Sequence, residues 1–261
     1  MRYLRLLTIQ IRISMAAAFA YRANFAIAGV MSAAWLALTL LPLIVVYGER
    51  NRVNGWDLPS ALIVMAYFTA LRALLEGVIS PSLVDLVEKI RNGSFDYVLL
   101  KPIDAQITIS SSRHEPWKLL DAVGALVLAL YAFGRRGYLP SVSELSLGFG
   151  LFIAGAMAMY SLWIICAAAS FWVGRLDNLI YLLGAIFDTA RWPVQVFPGI
   201  WRFVFTFVIP VAVMTTFPAM ALLGTLDATT TIATAAGALA MVMCSRLVWR
   251  TAIRSYTSAS S

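Results

Sequence analysis

Charge is absent from long stretches of this chain and concentrated between them, and that arrangement limits the folds open to it more than any other property. Ala23 to Gly48, reading ANFAIAGVMSAAWLALTLLPLIVVYG, holds no Asp, Glu, Lys, Arg or His. At 1.5 Å rise per residue, a helix over this run exceeds a hydrocarbon core of about 30 Å. Several similar runs follow. In lipid, backbone N–H and C=O groups must bond internally, so the spans must be helices or a closed barrel. A barrel requires alternating segments of about ten residues. These runs are continuous and about twice as long, so the fold class is an all-α integral membrane protein.

The 261 residues are 61% hydrophobic and 13% charged, against about 25% charged in soluble domains. The net charge of +7 does not indicate nucleic acid. The basic residues sit mainly at span edges, where they set topology and meet the headgroups of membrane lipid. Cys166 and Cys244 fall inside apolar runs and read as packing residues rather than a disulfide or metal pair. With one histidine, no CxxC and no HExxH, neither a catalytic nor a metal site is expected. The first apolar run is too long, and lacks an early A-x-A site, for a cleavable signal peptide.

Hydropathy places six spans at about 24–47, 59–80, 117–133, 145–172, 179–190 and 228–249, in one transmembrane domain over 1–261. Residues 1–22 punctuate apolar positions with Arg2, Arg5, Arg12 and Arg22, the pattern of an interfacial amphipathic helix; a helical extension of the first span is the alternative. Residues 81–116 read as a long polar loop, with Gly174–Asn178 (GRLDN) a second polar patch. Residues 191–225 are apolar but interrupted by Pro193, Pro198, Pro210 and Pro218. Proline ends helices, so a broken re-entrant extracellular segment is expected there, its short helical pieces dipping into the outer leaflet.

Counting Lys and Arg sets the orientation. With both termini cytoplasmic, the inside holds Arg2, Arg5, Arg12, Arg22, Lys89, Arg91, Lys101, Arg113, Lys118, Arg175, Arg246, Arg250 and Arg254. The outside holds Arg50, Arg52, Arg135, Arg136, Arg191 and Arg202. Thirteen against six favours both termini inside. The expected localisation is the plasma (inner) membrane of the cell.

The 81–116 loop carries the most information. In LVDLVEKIRNG, Leu83, Leu86, Val87 and Ile90 share one helical face, and Asn92–Gly93 is a helix stop. An apolar-aromatic run follows at Phe95, Tyr97, Val98, Leu99 and Leu100 before Lys101–Pro102. A surface helix followed by such a knob suits a groove on a partner protein; sealing of the bilayer surface is the competing reading. Within the spans, Arg72 and Glu76 are spaced i, i+4 and share a helix face. They read either as a polar patch on a translocation path or subunit seam, or as a structural pair, since an unpaired intramembrane charge costs about 3 kcal/mol or more. Asp121 is placed to meet Lys118, and Asp188 and Arg191 to pair at i, i+3. His114 reads as a surface or capping residue.

The run EKIRNGSFDYVLLKP resembles the cytoplasmic loop of one branch of the ABC transporter type-2 permeases, (I/V)R-x-G-(S/T)-(L/F)-D-x-x-L-L-(K/R)-P. Ile90, Arg91, Gly93, Ser94, Phe95, Asp96, Leu99, Leu100, Lys101 and Pro102 fill that pattern. TFPAMALLG, Thr216–Gly224, resembles the family's segment before its last span, and the order of elements matches along the whole chain. The resemblance implies an exporter's membrane half, working as a dimer with a second permease subunit, identical or related, each docking a separate ATP-binding cassette subunit through Leu83, Leu86, Val87, Ile90, Arg91, Gly93, Phe95, Asp96, Leu99 and Leu100. ATP and Mg would bind on that partner, since no GxxxxGK[ST] run occurs in this sequence. The apolar, aromatic-rich spans with few buried charges suit an amphiphilic or lipophilic substrate, a choice the resemblance itself does not make. An ion-coupled secondary transporter is the alternative, but such proteins usually show internal repeats and midplane carboxylates. No repeat is evident, and Glu76 is the one strong carboxylate candidate within a span.

Overall fold

The computed structural model describes residues 8–10, 12–16, 22–172 and 177–256, and those residues form helices and turns joined by short loops. Among the described residues, five helical runs are long and apolar enough to cross a membrane: Phe25–Glu49, Leu58–Arg91, Pro116–Arg136, Val142–Phe171 and Ala228–Arg254. The helices are named in chain order: α1 (Arg22–Glu49) and α2 (Leu58–Leu74), α3 (Ser80–Arg91) and α4 (Asp96–Leu99), α5 (Ala105–Ser110) and α6 (Leu119–Arg136). They continue with α7 (Val142–Ala168) and α8 (Asp177–Phe187), α9 (Gly199–Phe203) and α10 (Phe217–Leu222), and α11 (Ala228–Arg254).

Local chemistry sets the helix starts. α2, α7 and α11 all begin at one end of the bundle, and each has a side chain that satisfies an orphan backbone donor there. Asp57 accepts from the Ser60 amide at 3.0 Å, Asp227 accepts from the Thr230 amide at 2.8 Å, and Ser141 forms a capping box with Glu144. Asp57 lies below the usual carboxylate range: burial opposes the shift, but the Ser60 hydroxyl and amide and the charges of Arg136 and Arg52 outweigh it.

The core lies between α2, α6, α7 and α11. Phe68, Leu71, Ala132, Met159, Trp163 and Trp249 are among its buried members. Gly155 brings α7 onto the broken segment: a Cβ there would stand 2.8 Å from the Met214 carbonyl oxygen, so any side chain would hold the two backbones apart. The outward faces of α1 and α6, including Ile27, Val30, Leu126 and Leu130, are apolar and exposed, as surfaces in contact with lipid must be.

One expectation changes. The polar residues after Ser80 do not begin a separate loop helix. α2 runs through a π-helical turn at Leu75–Ile79 straight into α3, making one rod of 34 residues from Leu58 to Arg91. The hydropathy break at 80 marks where the rod turns polar, not where the helix ends. The stop at Asn92–Gly93 is as expected, with Gly93 at φ 75°. The fifth span lies close to its expected bounds of 179–190 and is short. α8 has 11 residues, about 16 Å of helix, followed by a 3-10 turn at Asp188–Arg191. By Gln195 the chain has reached the Leu58 end, where the Gln195 carbonyl accepts from Asn54 at 3.0 Å. The proline-broken segment turns back on itself, as expected for a re-entrant segment. Gly199–Val208 and Ala212–Leu222 meet at 73°, the bend reaches Gly155, and Met220, Leu223 and Thr225 return to a cavity beside Arg52 and Asp57. The segment is re-entrant.

The expected N-terminal helix is helical at 8–10 and 12–16; its remaining positions before Arg22, part of the GRLDN patch and the tail after Tyr256 lie outside the described residues. Ile13 and Ser14 line a cavity with Arg113 and His114, and Tyr256 packs on Phe95. Both ends of the described chain therefore lie at the end of the bundle that carries α3 to α5.

Candidate functional site

Arg72 lies fourteen residues into the rod, about 21 Å from its Leu58 end. A charge at that depth requires partners, and it has them. Arg72 Nε donates to Glu76 Oε1 at 2.7 Å and Nη1 to Asp188 Oδ1 at 3.1 Å. Lys118 Nζ meets Glu76 Oε2 at 2.5 Å and Asp121 Oδ2 at 3.4 Å, and Arg191 lies 3.7 Å from Asp188 Oδ2. Three acids and three bases thus alternate in one electrically balanced chain, Asp121–Lys118–Glu76–Arg72–Asp188–Arg191, which ties the α2–α3 rod to the start of α6 and the end of α8. The Arg72 guanidinium also lies over Trp35 of α1 at 5.6 Å and over Phe68 at 5.9 Å, contacts that favour a cation.

The π-helical turn coincides with this chain. Its residues are Leu75–Ile79, and the Glu115 amide donates to the Gly77 carbonyl at 2.8 Å. Interruptions of this type commonly occur at functional positions in helices. Glu76 borders three cavities: one of about 1160 Å³ toward His114 and Arg113, one of about 330 Å³ lined by Trp35, Phe68 and Trp117, and one of about 560 Å³ toward α8. At the edge of this region burial lowers His114 from its ordinary value. Burial raises Glu115, with Lys118 opposing and Glu76 adding to the shift.

The second feature is the α3–α5 region. Leu83, Leu86 and Phe95 are fully buried, because the apolar face of α3 packs inward on the bundle. Val87 and Ile90 are partly buried, and Arg91 is exposed. The knob divides. Phe95 is enclosed by Phe171, Trp249 and Tyr256, with ring centroids 5.3, 6.5 and 5.2 Å away. Tyr97 and Leu100 instead project outward at 72% and 79% exposure, and Leu99 is also exposed. Leu83, Leu86 and Phe95 thus belong to the chain's own core and cannot meet a partner protein without unpacking it. Gly93 and Asp96 are intermediate.

The same loop is clamped to the last span. Arg246 of α11 engages both carboxylate oxygens of Asp104, one at 3.0 Å, and also Gln106 Oε1 at 2.6 Å. Gln106 donates to Tyr160 of α7 at 3.0 Å. The Arg246 hydrogen bonds hold Asp104 below the usual carboxylate range against its burial, with the Ile107 and Gln106 amides adding to the shift. Nearby, Asp85 is held by Lys89 and by Arg113 at 3.3 Å.

The local pairs Arg72–Glu76, Lys118–Asp121 and Asp188–Arg191 all form as their spacing predicts. Sequence reading missed the two links that join them, Lys118 to Glu76 and Arg72 to Asp188. The available signal was stoichiometric: three intramembrane or boundary pairs, each requiring neutralisation. The Asp104–Arg246 clamp carried no such signal, since its members are 142 residues apart.

These elements define a multi-pass helical membrane protein with a charge-lined interior and a rigidly held loop at one end, the build of a transport subunit. A family model described as ABC-2 family transporter protein matches residues 33–260, and the chain belongs to that family. It is therefore a permease subunit of an ABC transporter, a membrane component that works with an ATP-binding cassette subunit. Neither the curated proteins nor the solved structures yielded a match to this chain.

Proposed function

We propose that this permease forms half of the translocation path of an ATP-driven exporter for an amphiphilic or lipophilic substrate, and that α4 docks the ATPase. The observation that carries the reading is the exposed apolar knob Tyr97, Leu99 and Leu100, set on a loop that Phe95 and Asp104 fix to α7 and α11. A hydrophobic surface of this kind suits a partner's groove, and its rigid mounting would pass a partner's movement to the spans. ATP and Mg²⁺ belong on the partner, and a second permease, identical or related, completes the path. Glu76 is bonded to both Arg72 and Lys118, which disfavours it as the free proton carrier of an ion-coupled transporter.

The test is copurification. Tyr97→Asp with Leu100→Asp should remove a co-expressed ATPase subunit while the chain stays membrane-inserted and folded. Survival of the complex would reject the docking assignment. The orientation, with both termini cytoplasmic in the inner membrane, is tested by reporters at Ser261 and within Asn51–Gly55. These should report opposite sides, and a shared side would overturn the topology.

A further inference from the structure

Resting on that permease reading, we infer that the cavity between the α2–α3 rod and α8 binds the transported molecule, and that this molecule is a lipophilic organic cation. The cavity has a volume of about 560 Å³, within the roughly 300–1,000 Å³ range of small-molecule sites. Among the described residues its charged lining is Arg72, Glu76 and Asp188, one base against two acids. The other bases that pair with these carboxylates, Lys118 and Arg191, do not line it.

The placement of the groups strengthens the sign. The guanidinium of Arg72 is drawn toward Trp35 and Phe68, and its side chain is 21% exposed, against 32% for Glu76 and 37% for Asp188. The carboxylates are therefore more available to an occupant than the cation. Asp188 is the better placed, since among the described residues its Oδ2 has only Arg191, at 3.7 Å, and a carboxylate oxygen has capacity for further donors. The walls suit the rest of such a molecule. Leu75 and Val84 are aliphatic, Trp163 and Phe187 are aromatic, and Tyr181 stands 79% exposed, a free ring face for a cation. An anionic amphiphile would meet two carboxylates here, and a zwitterion would gain at one end what it loses at the other.

The test uses the detergent-purified complex with its ATPase subunit and three probes: tetraphenylphosphonium, its anionic counterpart tetraphenylborate, and dihexanoyl phosphatidylcholine as a zwitterionic headgroup. Tetraphenylphosphonium should bind saturably, tetraphenylborate should not, and the zwitterion should not displace the cation. Asp188→Asn should weaken cation binding about ten- to a hundredfold, the loss expected for one charge-assisted contact. Tyr181→Ala alters an exposed wall residue without touching the ionic chain, so it tests the cavity even if Asp188→Asn fails to fold, and it should also weaken binding. Equal binding of both phenyl ions, displacement by the zwitterion, or unchanged affinity in Tyr181→Ala or in folded Asp188→Asn would overturn the inference. Failure of an ATPase subunit to copurify would instead count against the permease reading while leaving the binding measurement interpretable.

Discussion

Replacement of Phe95 separates a core role from a docking role. Phe95 is fully buried and contacts three rings from α11, its C-terminal extension and the end of α7. A buried Phe→Ala change costs about 3–5 kcal/mol. At about 2–4 °C per kcal/mol for a chain of this size, the unfolding temperature in detergent should fall by roughly 6–20 °C. Phe95→Leu keeps an apolar group in the site and should fall between wild type and Phe95→Ala. Leu100→Asp, by contrast, changes a side chain that is 79% exposed and should leave the unfolding temperature unaltered. The assay is fluorimetric thermal unfolding of each purified variant, paired with a pull-down of the ATPase subunit. A Phe95→Ala protein with an unchanged unfolding temperature but no bound partner would falsify the assignment of this ring to the core.

Gly155→Ala places a Cβ 2.8 Å from the Met214 carbonyl oxygen and should cost about 1–3 kcal/mol, whereas a Cβ at Gly150 meets nothing within 4 Å. Thermal unfolding should therefore separate Gly155→Ala from a near-neutral Gly150→Ala, and equal effects would contradict the close approach. Arg246→Ala and Asp104→Ala should be non-additive, with a coupling of about 1–2 kcal/mol; additive losses in a denaturation series would remove the clamp. Because Asp104 is held below its ordinary value, its contribution is present above the unfolded carboxylate pKa of about 3.9 and is lost as pH falls through the lower folded value. Asp104→Asn should flatten that acid limb of the stability profile.

The spans were legible because burial in lipid removes charge over runs that nothing else requires. The short-range ion pairs were legible because helical spacing brings i, i+3 and i, i+4 together. Where the sequence misled, local pattern and tertiary packing disagreed. Phe95 sits in an apolar run that reads as one exposed knob, and only the arrival of Phe171, Trp249 and Tyr256 from distant positions divides it from Tyr97 and Leu100. The polar residues Asp85, Glu88, Lys89 and Arg91 read as a surface loop helix, yet backbone hydrogen bonding carries the second span through them unbroken. The four prolines after 191 announced a broken, re-entrant segment, but the close approach at Gly155 that seats it against α7 is contained in no local pattern.

The π-helical turn at Leu75–Ile79 sets the phase between the two halves of the rod. Such a turn accommodates one residue more than an α-helix, and one residue corresponds to about 100° of rotation. Above it, the register aims Arg72 at Trp35 and Asp188; below it, the register turns Leu83 and Leu86 into the core and leaves Glu88 and Arg91 outside. A rod of pure α-helix could satisfy one of these facings but not both. The polar interior and the buried foot of the rod are compatible because of that one extra residue. A conversion of the turn to α-helix, with the extra residue passed along the rod, would twist the foot against the ionic chain without bending the axis. A pure α-helix over the same residues would thus leave the loop end and the ionic chain about 100° out of register with each other.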